Sequence, residues 1–206
     1  MRYLLAALVA LLLLPASASA SYDPAGVYLD ALTWPRIADR DDVQLDADEI
    51  PQVQRGDDYV YNPVTISQYG LQEFSYNAAG QGPEHLTAAL KAADWLVAHQ
   101  QPSSGAWTYD YDFSVAGMGV TLHAPWISAM AQGQAMSLLT RAWRSTGDAR
   151  YLTAADAALA PFRLSVAAGG VVTSFLGDAA HPYYEEYPTE PASLTLNGFM
   201  FSLFGL

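Results

Sequence analysis

From Tyr61 onward the apolar residues recur mainly every three or four positions, with Pro, Gly and Asp between the runs. That spacing predicts helices, because side chains three and four apart share one helix face. The first covers "YNPVTISQYGLQEFSYN", with Asn62 as cap candidate and Pro63 at the first position. Ile66, Gly70, Phe74 and Asn77 line one stripe, and Tyr69, Glu73 and Tyr76 an adjacent one. The second starts at "GPEH", with Leu86, Leu90, Ala93 and Val97 at helical period. The third is "PWISAMAQGQAMSLLTRAWRST", closed by Gly147. Asp148 caps a fourth, whose expected apolar face is Leu152, Ala155, Leu159 and Phe162. Pro191 opens the last, "PASLTLNGFMFSLFGL", a segment so poor in polar side chains that it should be buried all round.

Two stretches break the helical period. "AGGVVTSF" sets glycines before β-branched residues and predicts a short hairpin, and a second hairpin is expected within residues 104–122. Residues 35–58 are acidic with little periodicity, which predicts loop or short irregular strand. Antiparallel helix pairs with short connections predict a mainly α fold: an incomplete α/α toroid, or α/α barrel, carrying short β-hairpins. No sequence repeat of fixed period accompanies it. The expected division is a leader over 1–20, an irregular or β lead over 21–60 and a helical domain over 61–206.

Composition narrows the function classes. The chain has 206 residues, 51% of them hydrophobic, enough for one domain with a sizeable core. Twenty-one acidic against nine basic residues argue against nucleic-acid binding, which needs a basic footprint. There is no cysteine, so disulfides and thiolate metal sites are excluded. The four histidines show no ligand spacing, so neither a metal nor another cofactor is expected. "MRYLLAALVALLLLPASASA" has Arg2, an apolar stretch from Leu4 to Leu14 and small residues at Ala18 and Ala20. It reads as an export signal cleaved after Ala20, too short to span a bilayer comfortably.

The candidate chemistry is acid–base. Three tyrosines and two glutamates crowd into Tyr183–Tyr187. Burial or a nearby carboxylate raises a tyrosine pKa, and either group transfers protons when held within hydrogen-bond reach. The competing reading is a polar loop whose tyrosines cap the end of the helices. "SSGAWTYDYDFSVAGMGVTLHAPW" adds Trp107, Tyr109, Tyr111, Phe113 and Trp126, flat faces on which sugar rings stack. Its alternative is a hairpin with one buried aromatic face.

"YEEYPTEPASLTLNGFMFSLFGL" and "PWISAMAQGQAMSLLTRAWRSTGDARYL" together resemble the C-terminal domain of the D-glucuronyl C5-epimerases. The resemblance runs from "ISQYGL" at Ile66 through "GGV" at Gly169 to Leu206, about two-thirds of the chain. It implies an α/α toroid and inversion of C5 of glucuronate to iduronate within heparosan-type glycans. It implies Glu186 and Tyr187 of "EEYPT" at the substrate carbon and Tyr69 of "QYG" in the cleft. Asn197 of "LNGFM" faces substrate on the same ground, and Glu185, Gln68 and Trp126 join it as candidate substrate contacts. The implied partner is a uronic-acid polysaccharide, with a homodimer as a further expectation. Members of the family carry further tyrosine-bearing helices after the segment that ends here at Leu206, so a truncated chain with an exposed apolar patch beside its last helix is expected. Two other functions fit the same residues: an α/α-toroid uronate lyase, and a glycan-binding domain without catalysis.

Overall fold

The computed structural model describes residues 31–206; the expected export signal over 1–20 lies outside them. Two short 3-10 turns, Ala31–Thr33 and Ile37–Asp39, lead into three strands: β1 (Val43–Leu45), β2 (Pro51–Arg55) and β3 (Asp58–Tyr61). They form an antiparallel sheet in the order β1-β2-β3, with Val43 opposite Val53 and Arg55 opposite Asp58. The side-chain alternation of strands turns Val43 and Val53 onto the core and leaves their neighbours to solvent. The acidic lead is therefore a regular sheet where loop or irregular strand was expected.

Helix α1 (Pro63–Ala78) follows at once. The Asn62 side chain accepts from the Thr65 N–H at 3.1 Å, one of the donors a helix start leaves unpaired. Helix α2 (Pro83–His99) also has Pro at its first position. After a loop and the hairpin β4 (Phe113–Val115) and β5 (Val120–Leu122) comes α3 (Ala129–Thr146), the central helix, which packs against α1, α2, α4 and α5. Gly147 ends it in the left-handed conformation, φ 74°, and returns its N–H to the Trp143 carbonyl. Asp148 then caps α4 (Ala149–Ala157).

Small residues set how closely the helices approach. Ala89, Ala92, Ala93, Ala135 and Ala142 are buried together with Ile66, Leu96, Leu138 and Leu139. A Cβ on Gly70 would collide with the Leu138 side chain. Trp107 is buried under this core, its indole N–H donating to the Leu96 carbonyl at 2.8 Å.

The mainly α toroid does not form. Helices account for about 47% of the described residues, and three small antiparallel sheets of two or three strands share the architecture. The helical period located helices, but it did not fix their succession. Between α4 and α5 the chain makes 3-10 turns and the hairpin β6 (Val172–Phe175) and β7 (Asp178–Tyr184), which interrupts any run of helix pairs. Helix α4 stops at Ala157, so Phe162 is buried from a 3-10 turn and Leu152 is exposed instead of facing the core.

The last helix, α5 (Leu196–Gly205), starts five residues after Pro191 and packs on α3. Its approach is close: a Cβ on Gly133 would strike the Ser202 backbone. The helix is not buried all round. Leu196, Met200, Leu203, Phe204 and Leu206 are exposed, which makes the apolar patch expected beside it.

Candidate active site

Backbone pairing places the acidic pair. The Glu185 N–H donates to the Val171 carbonyl at 2.8 Å, and the Ala129 N–H donates to the Glu185 carbonyl at 2.9 Å. The chain leaving β7 is thereby fixed between the start of β6 and the start of α3. The Glu185 side chain is fully buried and accepts from the Ser193 hydroxyl and from the Ser193 and Leu194 N–H groups. Leu194 sits at φ 49°, a conformation that a branched side chain rarely adopts. The Glu185 carboxylate meets the N–H groups there and sets where α5 begins. Glu185 is thus spent on holding the loop, and burial pushes its carboxyl up despite those donors.

Glu186 is placed differently. It is buried against the first turn of α5, at Gly198, and its Oε2 makes no hydrogen bond. Burial pushes its carboxyl above the ordinary value, while the Tyr187 hydroxyl and the Gly198 N–H favour the charged form. The positive end of α5 acts in the same sense as that N–H. Tyr187 is partly exposed; burial raises its phenol strongly, the hydrogen bond to Glu186 adds to this, and Arg55 opposes it. A raised carboxyl and a raised phenol on adjacent residues have the acid–base character that proton transfer needs.

The aromatic loop supplies the wall of this site. Tyr109 and Trp126 exchange backbone hydrogen bonds at the base of the β4–β5 hairpin, and their rings stack at 3.9 Å. Tyr187 stacks on Phe113 at 5.2 Å and tilts against Trp126 at 6.3 Å. Trp126 is largely buried and its indole N–H donates to the Tyr111 carbonyl, so it backs the site instead of offering an open face.

Arg55, not singled out in the sequence, and Asn62, read there only as a helix cap, complete the arrangement. The Arg55 guanidinium, at the end of β2, lies 5.5 Å from the Tyr111 ring and 5.7 Å from the Phe113 ring. The Tyr111 hydroxyl accepts from the Asn62 amide at 3.0 Å. Arg55 falls in the stretch read as irregular; only its sign, in an acidic segment, marked it. The site therefore joins the lead sheet, the aromatic hairpin, the turn after β7 and the start of α5.

The remaining candidates lie apart or at the edge. Asn197 is exposed on the first turn of α5, next to Gly198. Tyr69 is buried in α1, its phenol pushed up to about 12 by burial and then by Glu73. Its charged neighbours are Glu73, Glu49 and Arg36, not the Glu186–Tyr187 pair. Glu73 is itself buried and meets His85 Nδ1 at 2.6 Å. Gln68 lines a separate cleft of about 610 Å³ with Gln134, Arg141 and Phe204, and none of the described residues lining it is an acid or a tyrosine. Among the described residues no group of three His, Cys, Asp or Glu converges to hold a metal ion, and no helix is long and apolar enough to cross a membrane.

Residues 100–206 match the family model described as "D-glucuronyl C5-epimerase C-terminus". That span contains Glu186, Tyr187, Trp126 and Asn197; Arg55, Asn62, Gln68 and Tyr69 precede it. The chain is 44% identical over 123 residues to a D-glucuronyl C5-epimerase of Caenorhabditis elegans, across 60% of this chain and 19% of the relative. It is 30% identical over 95 residues to an uncharacterized protein of Methanocaldococcus jannaschii, across 46% of this chain and 30% of that protein. The matched segments span less than a third of either relative. With half of its length under that one model, and the acid–base pair within it, the chain belongs to the family of D-glucuronyl C5-epimerase C-terminal domains.

Proposed function

We propose that the protein inverts C5 of a glucuronate residue within a heparosan-type polysaccharide. The observation that carries this is the Glu186–Tyr187 pair, with raised carboxyl and phenol, beside the cation Arg55. The C5 hydrogen lies α to the sugar carboxylate. Its removal leaves an electron pair that spreads onto that carboxylate and adds to its negative charge. Arg55 is the group that offsets this charge.

The atoms balance through the pair alone. Glu186 takes the C5 proton and becomes neutral, the form burial favours. Tyr187 returns a proton to the opposite face of C5 and becomes a phenolate. Once the product has left, the proton returns from Glu186 to Tyr187, which restores both groups. No bond to the neighbouring sugar breaks.

Incubation with heparosan in heavy water tests the reading. Deuterium at C5 and the appearance of iduronate are expected. Ultraviolet absorbance from an unsaturated uronate would instead mean elimination, and binding without any exchange would mean a glycan-binding domain. The apolar and small residues of the first twenty positions support export as well, with a mature start at Ser21 that mass spectrometry of the native protein checks.

A further inference from the structure

The cap of α1 fixes which way a half-buried hydroxyl of the site points. The Asn62 side-chain oxygen accepts from the Thr65 N–H at 3.1 Å, so the amide turns its NH2 toward Tyr111, 3.0 Å away. An NH2 only donates, and the Tyr111 oxygen therefore accepts there. Its one hydrogen is turned away from Asn62, and no hydrogen bond among the described residues uses it as donor. Burial raises the phenol, while hydrogen bonds from Arg55 and Asn62 oppose the rise, so the hydrogen stays in place at neutral pH.

That hydroxyl stands among the groups of the site. Arg55 lies over the rings of both Tyr111 and Phe113, and Phe113 stacks on Tyr187. The Tyr111 and Tyr187 rings both lie against Trp126, at 6.4 Å and 6.3 Å. We propose that the Tyr111 hydroxyl donates to the carboxylate of the reacting uronate, beside Arg55, and shares the charge gathered there as C5 loses its proton. This rests on the reaction assigned above.

The two donors do different work. A carboxylate has two oxygens, one for each of them. Arg55 is exposed, so water screens its charge. Tyr111 is half-buried and held by Asn62, and a fixed donor in a lower dielectric acts without reorganising as charge develops. Tyr111 keeps its hydrogen throughout, so the transfer through Glu186 and Tyr187 balances as before. The competing role is packing alone: the ring meets Tyr109 edge-on at 5.8 Å and would do so without a hydroxyl.

Steady-state C5 exchange of heparosan in heavy water, on the full chain and its variants, separates these roles. Tyr111→Phe keeps the ring and removes the donor. Its kcat is expected to fall about 10²–10³-fold, the worth of one preorganised donor, with KM nearly unchanged. Asn62→Asp keeps the helix cap, since Asp caps as well as Asn. The introduced carboxylate only accepts, so it takes the Tyr111 hydrogen for itself. Its kcat is expected to fall comparably with the phenol still present, and the double variant to lose no more than the weaker single one. Should Tyr111→Phe fail to fold, Asn62→Asp carries the test. Undiminished kcat in either folded variant, or a further loss in the double variant, would overturn the proposal. Equilibrium binding of glucuronate distinguishes it from the reaction itself. With no exchange in the parent protein, binding weakened severalfold in both variants sinks the reaction and keeps Tyr111 as a carboxylate donor, whereas unchanged binding removes both.

Discussion

Glu186 occupies the space that a side chain at position 198 would need. A Cβ on Gly198 would overlap the Glu186 Cβ and its Oε2. Gly198 sits at ordinary helical φ, so it is required by that approach and not by backbone conformation. Gly198→Ala should push Glu186 off the start of α5. Overpacking of this kind costs about 1–3 kcal/mol. A melting curve should show a folded, less stable protein, and isotope exchange at C5 should fall further than the stability loss explains. Full exchange in Gly198→Ala would detach Glu186 from the reaction.

Glu186→Gln and Tyr187→Phe nearly keep shape and each remove one proton-transfer group. Each should lower C5 exchange roughly 10²–10⁴-fold, the usual worth of a positioned acid or base. Because the two groups act as one relay, the double variant should lose little more than either single one. Additive losses in the double variant would argue against a shared proton path.

Arg55→Gln removes the cation facing Tyr111 while leaving a polar side chain. A hydrogen bond to a charged group is worth about 1.5–3 kcal/mol, so kcat/KM for the polysaccharide should drop roughly 10- to 150-fold. Arg55 is exposed, and its loss should hardly move the melting temperature. An unchanged kcat/KM would mean that the substrate carboxylate is held elsewhere.

The buried glutamates and the surface aspartates predict opposite slopes of stability against pH. Glu185 and Glu186 are raised above their ordinary value of 4.5. Their contribution is fully present below that value and is lost as pH rises through the raised folded values, because the unfolded chain ionises first. Asp42 and Asp46 are lowered from 3.8, Asp42 mainly by its hydrogen bond to Arg40. Their contribution is present above 3.8 and is lost as pH falls through the lowered folded values. Stability should peak between these windows. Glu186→Gln should flatten the fall above pH 4.5 and melt higher than the parent at pH 7. A fall as steep as the parent's would exclude Glu186 as its source.

The positions of the elements were largely legible in the chain. Asn62–Pro63, Gly147 and Asp148 mark helix boundaries by satisfying or replacing terminal backbone groups, and that chemistry is local. "AGGVVTSF" marked β6 for the same reason, and the wording around Glu186 and Tyr187 carried the family. How the elements assemble was not local. Arg55 reaches the acid–base pair only because β2 and β3 fold back on one another and Asn62 meets Tyr111 across 49 positions. Glu185 and Glu186 are adjacent and chemically identical, yet one holds the Ser193–Leu194 turn and the other keeps an unpaired oxygen. Tyr69 and Tyr187 likewise carry the same phenol with different neighbours. Sequence determined which acid–base groups the protein has; burial and long-range packing, which depend on every element at once, decided which of them meet.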